Sequence, residues 1–129
     1  GALAPLADYV LVEADGARGL PCKAHAFWEP VIPPEAQQVI QVVGLAGIGQ
    51  PITRAAHRPA LFAARCGANV TDLITPVRLA RVLRAEALGD VYLFNQAETR
   101  RDEALELAAL LECPCFAGSL QKGVLECLC

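Results

Sequence analysis

The stretch Thr75-Pro-Val-Arg-Leu-Ala-Arg-Val-Leu-Arg-Ala-Glu-Ala-Leu-Gly-Asp-Val-Tyr-Leu-Phe94 contains a helix and a strand back to back. Thr75 is an N-cap residue and Pro76 is tolerated in a first helical turn. Val77, Leu79, Ala80, Val82 and Leu83 then fall on one stripe at helical spacing, and Gly89 is placed to stop the helix. Val91-Tyr-Leu-Phe94 follows as a short run of β-formers of the kind found in strands buried on both faces.

Working outward, this alternation repeats. Arg101 to Glu112 carries Ala104, Leu105, Leu107, Ala108 and Leu111 at helical spacing. Beyond it, Cys115-Phe-Ala-Gly118 and Val124 to Leu128 read as two short strands around a Ser119-to-Gly123 turn. Upstream, Val39 to Val43 reads as a strand running into the glycine-rich segment Gly44 to Pro51. Pro59 to Cys66 suits a helix that Gly67 ends. Residues 17 to 38 hold Pro21, Pro30, Pro33 and Pro34 with little periodicity, which predicts a long loop. Tyr9 to Ala14 reads as the first strand, closed by Asp15-Gly16. Strands alternating with helices imply right-handed crossovers, a mostly parallel sheet with flanking helices, and ligands gathered at the strands' carboxyl ends.

The bulk composition narrows the function. The chain has 129 residues, enough for a single domain. A formal charge of -3 leaves no basic stripe for a nucleic-acid backbone, so no nucleic acid is expected as a partner. The apolar fraction is 54% and the mean hydropathy +0.37, which predicts apolar surface covered by another chain or segment, and homo-oligomerisation with it. The longest charge-free run, Ala36 to Thr53, is broken by glutamines, three glycines and Pro51, so no membrane span is expected. Without a secretory leader pattern, the expected compartment is the cytoplasm and the six cysteines are expected mostly as thiols.

Several motifs bear on chemistry. Glu13 and Asp15, at the end of the first predicted strand, are carboxylates able to hold Mg²⁺ and so position a nucleotide's phosphates. Asp-Gly is equally a common turn, and Glu13 has Arg18 and Lys23 nearby in sequence as ion-pair partners. Gly44 and Gly49 have the spacing of a phosphate-binding loop, but Gln50-Pro51 stands where Lys and Ser/Thr belong. Pro51 also argues against continuation into a helix, leaving a turn or switch. Asn95-Gln-Ala-Glu98 is similar to the Asn-Lys-x-Asp element that GTP-binding proteins use on the base, with Gln96 and Glu98 as departures. Cys113-Pro-Cys115 and Cys127-Leu-Cys129 place cysteines in two C-x-C pairs, a thiolate metal site if the strands bring them together, or small buried apolar side chains if not. His25 and His57 are isolated in sequence and read as structural.

Five segments occurring in order carry a family resemblance: Asp8-Tyr-Val-Leu-Val-Glu-Ala-Asp-Gly16, Leu20-Pro-Cys-Lys23, Glu29-Pro-Val-Ile-Pro33, Val42-Val-Gly-Leu45 and His57-Arg-Pro59. With Asp72-Leu-Ile-Thr-Pro76 and Asn95-Gln-Ala-Glu98, the chain resembles the YqeC family, accessory proteins of selenium-dependent molybdenum hydroxylases that look like P-loop nucleotide-binding proteins. The resemblance implies a P-loop NTPase-like fold, a Mg-nucleotide in the full-length protein, and a hydroxylase or cofactor-maturation partner. It also implies Glu13 and Asp15 as metal-side acids, Arg18 and Lys23 as anion contacts, and Asn95, Gln96 and Glu98 on the base side. The family's phosphate-binding loop precedes the acidic strand, so residues 1 to 129 are expected to be a partial domain, the C-terminal portion of a longer nucleotide-binding protein, and to hydrolyse no nucleotide alone. A second expectation stands beside it: a non-enzymatic module that docks a metal, a selenium species or a partner enzyme through the cysteine pairs or the proline-rich loop.

Overall fold

The computed structural model describes residues 6–128 of the chain. Its centre is a four-stranded sheet of β2 (Ile40–Gly44), β4 (Val91–Asn95), β5 (Cys115–Ser119) and β6 (Val124–Cys127), in that spatial order. The first three are parallel and β6 returns antiparallel as a hairpin from β5. Two further strands of two residues each, β1 (Cys22–Lys23) and β3 (Ala56–His57), pair in parallel as a separate ribbon. The fold is thus α/β with mixed sheets and flanking helices.

Among the described residues four α-helices complete it: α1 (Ile52–Ala55), α2 (Pro59–Cys66), α3 (Pro76–Glu86) and α4 (Arg101–Leu110). The Thr75 side chain accepts from the Arg78 N–H, the capping bond expected of it. Helix α3 ends at Glu86, three residues before Gly89, because Ala87 takes the left-handed conformation and its N–H closes on the Leu83 carbonyl. Helix α2 ends on left-handed Gly67 as its sequence predicts.

β2 to β4 to β5 advances in one direction across the sheet, so two right-handed crossovers place α3 and α4 on the same face. That face carries Val43, Tyr92, Phe94, Cys115 and Ala117, all buried, and the Tyr92 hydroxyl reaches the Leu83 carbonyl of α3. The packed side chains of α3 are Leu79, Ala80, Val82 and Leu83, while Val77 remains exposed at the stripe's edge. On the opposite face the register aligns Val42, Leu93 and Phe116, and Ile40 and Val42 are about half exposed. Of the exposed large apolar side chains, more lie in the loop between Leu6 and Val31 than on this face.

Three sequence expectations are corrected. Tyr9 to Ala14 is not a strand: it has no regular structure, and Tyr9 and Leu11 are 89% and 92% exposed. A run of β-formers becomes a strand only where neighbouring strands accept its backbone groups, and none is placed against this one. The loop at 17 to 38 does contain a strand, Cys22–Lys23, because the His57 strand supplies a partner and the Ala24 N–H continues the ladder to the His57 carbonyl. Pro51 introduces α1 instead of blocking it: as N-cap it needs no donor, and its carbonyl accepts from Arg54 and Ala55.

Candidate functional site

Pro21 sits over the carboxyl end of β2. Its carbonyl accepts from the Gly44 N–H at 2.8 Å, and a Cβ on Gly44 would meet Pro21 Cβ and Gln96 Oε1 each at 2.7 Å. Glycine is required there because no side chain fits between those neighbours. The Cys22 thiol, next in sequence, lies 3.7 Å from the Gly44 carbonyl, and its burial pushes its pKa up to about 12, so it is a packing group and not a nucleophile. The loop and β1 are thereby pinned across the sheet end where open α/β sheets bind ligands.

Lys23, next along β1, is the hub of a charged cluster. Its ammonium donates to Asp15 Oδ2 at 2.6 Å, the Gly16 carbonyl at 2.7 Å and Glu29 Oε2 at 3.1 Å. An ammonium has three protons, so all are engaged. Glu29 Oε1 in turn accepts from Arg58 Nε at 2.7 Å and from the Ala26 N–H at 3.1 Å. The Arg58 hydrogen bond, with lesser help from Ala26 and Lys23, holds the Glu29 carboxyl far below the usual carboxylate range. The Arg58 guanidinium also lies 5.4 Å from the Trp28 ring centroid.

A second branch runs to helix α3. Asp15 Oδ2 lies 3.0 Å from His25 Nε2, and His25 Nδ1 lies 3.0 Å from Glu86 Oε1. Glu86 Oε2 accepts from the His25 N–H and pairs with Arg65. The Glu86 side chain is only 2% exposed, so each of these contacts compensates a buried charge. His57, opposite Lys23 in the β1–β3 ribbon, has its pKa lowered first by burial and then by the charges of Lys23, Arg58 and Arg18. Arg18, Lys23, Arg58 and Arg65 outnumber the carboxylates Asp15, Glu29 and Glu86, so the cluster leaves cationic character beside the sheet end.

The other predicted residues fall in three places. Asn95 closes β4 at the same carboxyl end, with its Oδ1 accepting from the Leu120 N–H at 2.9 Å. Gln96 is left-handed, with φ of 60°. Glu98 has its carboxyl pKa lowered by its own backbone N–H and then by the Ser119 hydroxyl, with Lys122 adding to the effect. Glu13 is exposed and does not join Asp15 on a strand end. The expectation that both acids cap a strand is corrected by the absence of that strand: Asp15 is instead tied to Lys23 and His25.

The cysteine expectation also changes. Cys127 pairs opposite Phe116, and opposite residues of an antiparallel pair share a face, so Cys127 points to the other side of the sheet from buried Cys115. Cys129 lies outside the described residues. Among the described residues no group of three or more His, Cys, Asp or Glu is placed to hold a metal ion. No helix among them is long and apolar enough to cross a membrane.

Sequence reasoning missed Glu29, Arg58, Arg65 and Glu86, and took His25 as isolated. Two of these were signalled, since Glu29-Pro30 and His57-Arg58-Pro59 lie in the segments that carry the family resemblance. Glu86 and Arg65 were hidden because each looks like an ordinary polar residue on an amphipathic helix.

Comparison with known proteins bears on this site. The family described as YqeC protein matches residues 2–60. Over those residues the chain is similar to the YqeC family. An uncharacterised YqeC protein of Escherichia coli (strain K12) is 38% identical over 81 residues, covering 57% of this chain and 32% of that protein. The chain therefore matches about a third of that relative's length. No solved structure matches. The YqeC-matched segment contains Asp15, Arg18, Lys23, His25, Glu29, His57 and Arg58, whereas Asn95 to Glu98 and both cysteine pairs fall outside it.

Proposed function

We propose that this chain is part of a YqeC-family accessory factor that serves the maturation of a selenium-dependent molybdenum hydroxylase and binds a Mg-nucleotide when the protein is full length. The observation carrying the nucleotide reading is the gathering of Arg18 and Arg58 around the Lys23 hub, next to the carboxyl end of β2. Anions are attracted to such a cationic excess at the ligand-binding edge of an α/β sheet.

The residues fit the phosphate better than they fit the metal. Arg18 is exposed, and the Arg58 terminal nitrogens remain beyond its Nε bond to Glu29, so these two would meet phosphate oxygens. Lys23 is the positioning group, with its protons spent on Asp15, Gly16 and Glu29. Magnesium is commonly held by one or two carboxylates together with the nucleotide's own phosphates, and Asp15 and Glu13 are the carboxylates of this chain that would serve it. The bound nucleotide would supply phosphoryl chemistry, and the rest of the full-length protein the phosphate-gripping loop.

The accessory role is tested in cells. Deleting the full-length gene in a host that makes such a hydroxylase lowers the hydroxylase's specific activity while leaving its polypeptide level unchanged, and the wild-type gene restores it. Unchanged specific activity would remove the hydroxylase as client.

A further inference from the structure

The turn that follows β1 carries aromatic side chains where turns ordinarily carry polar ones. The Ala26 carbonyl accepts from the Glu29 N–H at 3.1 Å, and Glu29 Oε1 accepts from the Ala26 N–H at 3.1 Å, so Phe27 and Trp28 are the two central residues of a closed turn. Glycine, proline, asparagine and aspartate suit such positions by their backbone geometry. Phe27 is 95% exposed and Trp28, the chain's single tryptophan, 61% exposed, so little of either ring is spent on the core. The rings meet edge to face with centroids 4.8 Å apart.

This turn is one wall of a groove of about 600 Å³, and the start of α2, with Pro59 and Leu61, is the other. The charged residues lining it are Arg58 and Arg65, and among the described residues no acidic side chain lines it. Arg58 Nε donates to Glu29, while Arg65 Nη1 donates to the His25 carbonyl and to Glu86. The acids that orient the two guanidiniums are themselves buried, with side chains 13% and 2% exposed.

We propose that this groove docks an acidic, apolar segment of a partner protein. One apolar or aromatic side chain of that segment sits against Phe27, Trp28 and Leu61, and a neighbouring Asp or Glu carboxylate meets Arg65. Charge complementarity selects this occupant, because the groove is apolar with cationic corners and a guanidinium matches a carboxylate in shape as well as sign. Trp and Arg are also the side chains that most often dominate binding energy at protein interfaces. The turn and both arginines are held before the partner arrives, so docking costs little further ordering. A second copy meeting groove to groove would set arginine against arginine. Docking through Phe27, Trp28, Leu61 and Arg65 draws on none of the groups assigned to the nucleotide.

Selection from a random-peptide phage library on the intact chain, without nucleotide, tests this. Enriched peptides are expected to carry Asp or Glu beside an apolar residue and to shift Trp28 emission to the blue as they cover it. Trp28→Ala, at an exposed turn position where circular dichroism should report an unchanged fold, is expected to weaken their binding at least ~10-fold. Replacing the peptide's acid by its amide is expected to weaken it at least ~5-fold. Ala60→Glu sets a rival carboxylate on the groove's rim, at an exposed position in the first turn of α2 where a carboxylate suits the helix. It is expected to weaken binding at least ~3-fold, with Ala60→Gln leaving it unchanged. No enriched peptide, enrichment without acidic residues, or equal binding to Trp28→Ala overturns the proposal. Dimerisation that Trp28→Ala abolishes would give the groove to a second copy, and a Trp28 emission shift with Mg-ATP or Mg-GTP but with no peptide would give it to a nucleobase; either result overturns it as well.

Discussion

The sheet with helices α2 to α4 and the loop running from residue 6 to residue 38 are held by different forces. Phe62, Phe94, Leu79, Leu83 and Leu107 are fully buried in one contiguous apolar cluster. The loop buries Cys22, Ala24 and Ala26, and its remaining order rests on His25 reaching across to Glu86, Glu29 to Arg58, and Lys23 tying Asp15 to Glu29 within the loop. Burial of apolar area is non-directional and tolerant of small shifts, whereas charge-assisted hydrogen bonds demand particular partners at particular positions. The apolar half is therefore a scaffold, and the loop is a site whose geometry that scaffold fixes.

The largest expected effect breaks the scaffold. Phe94→Ala empties a fully buried position in β4 and is expected to cost about 3–5 kcal/mol, read as a lowered urea midpoint with unchanged slope. Val31→Ala in the loop, at a side chain 75% exposed, is expected to stay within about 0.5 kcal/mol. Equal effects at the two positions would erase the distinction between the two regions.

A smaller effect sharpens it. Glu86→Ala removes the acceptor for the His25 backbone and the partner of Arg65, both attached to a helix whose apolar stripe stays intact. The expected loss is about 2 kcal/mol, from hydrogen bonds to a buried charged group. Amide exchange should accelerate at residues 22–26 and stay unchanged in β4 and β5. Acceleration across the whole sheet would show that loop and scaffold unfold together.

Acidity should act on the loop most gently and in one direction. The folded-state pKa of Glu29 is depressed, so its stabilisation is present above the ordinary glutamate range and is lost as pH falls through and below it. His57 has a lowered pKa in the folded state, so as pH falls through the ordinary histidine range the unfolded chain takes up the proton first and stability falls as well. Both shifts predict a Tm that declines on acidification from pH 7, beginning near pH 6.5 with His57 and continuing below the glutamate range. Glu29→Gln is expected to flatten the lower part of that decline, and an unaltered profile would show that Glu29 contributes nothing to it.

The same contrast explains what was legible in the sequence. Helix α3, strand β4 and helix α2 were readable because period, caps and breakers all lie within each segment. The β5–β6 hairpin was readable from its turn. Tyr9 to Ala14 has the composition of a strand, but whether it becomes one depends on a neighbour that local pattern cannot supply. Pro51 was misread because the same residue that breaks a helix interior is well suited to its start. Within the site, the sequence put Asp15 and Lys23 together on a phosphate and metal side, and the structure pairs the two with each other. Glu86 escaped because its partners His25 and Arg65 lie 61 and 21 residues away in sequence.

The central claim, that the loop cluster is the anion-binding side of a nucleotide site, is tested most directly by titrating Mg-ATP and Mg-GTP into full-length protein by calorimetry, comparing wild type with Arg58→Ala and Arg18→Ala. The account predicts that wild type binds one of the two and that each arginine variant binds it at least ~10-fold more weakly, a loss of about 1.4 kcal/mol. Wild-type affinity in both variants, or no binding of either nucleotide by the wild-type protein, would contradict it.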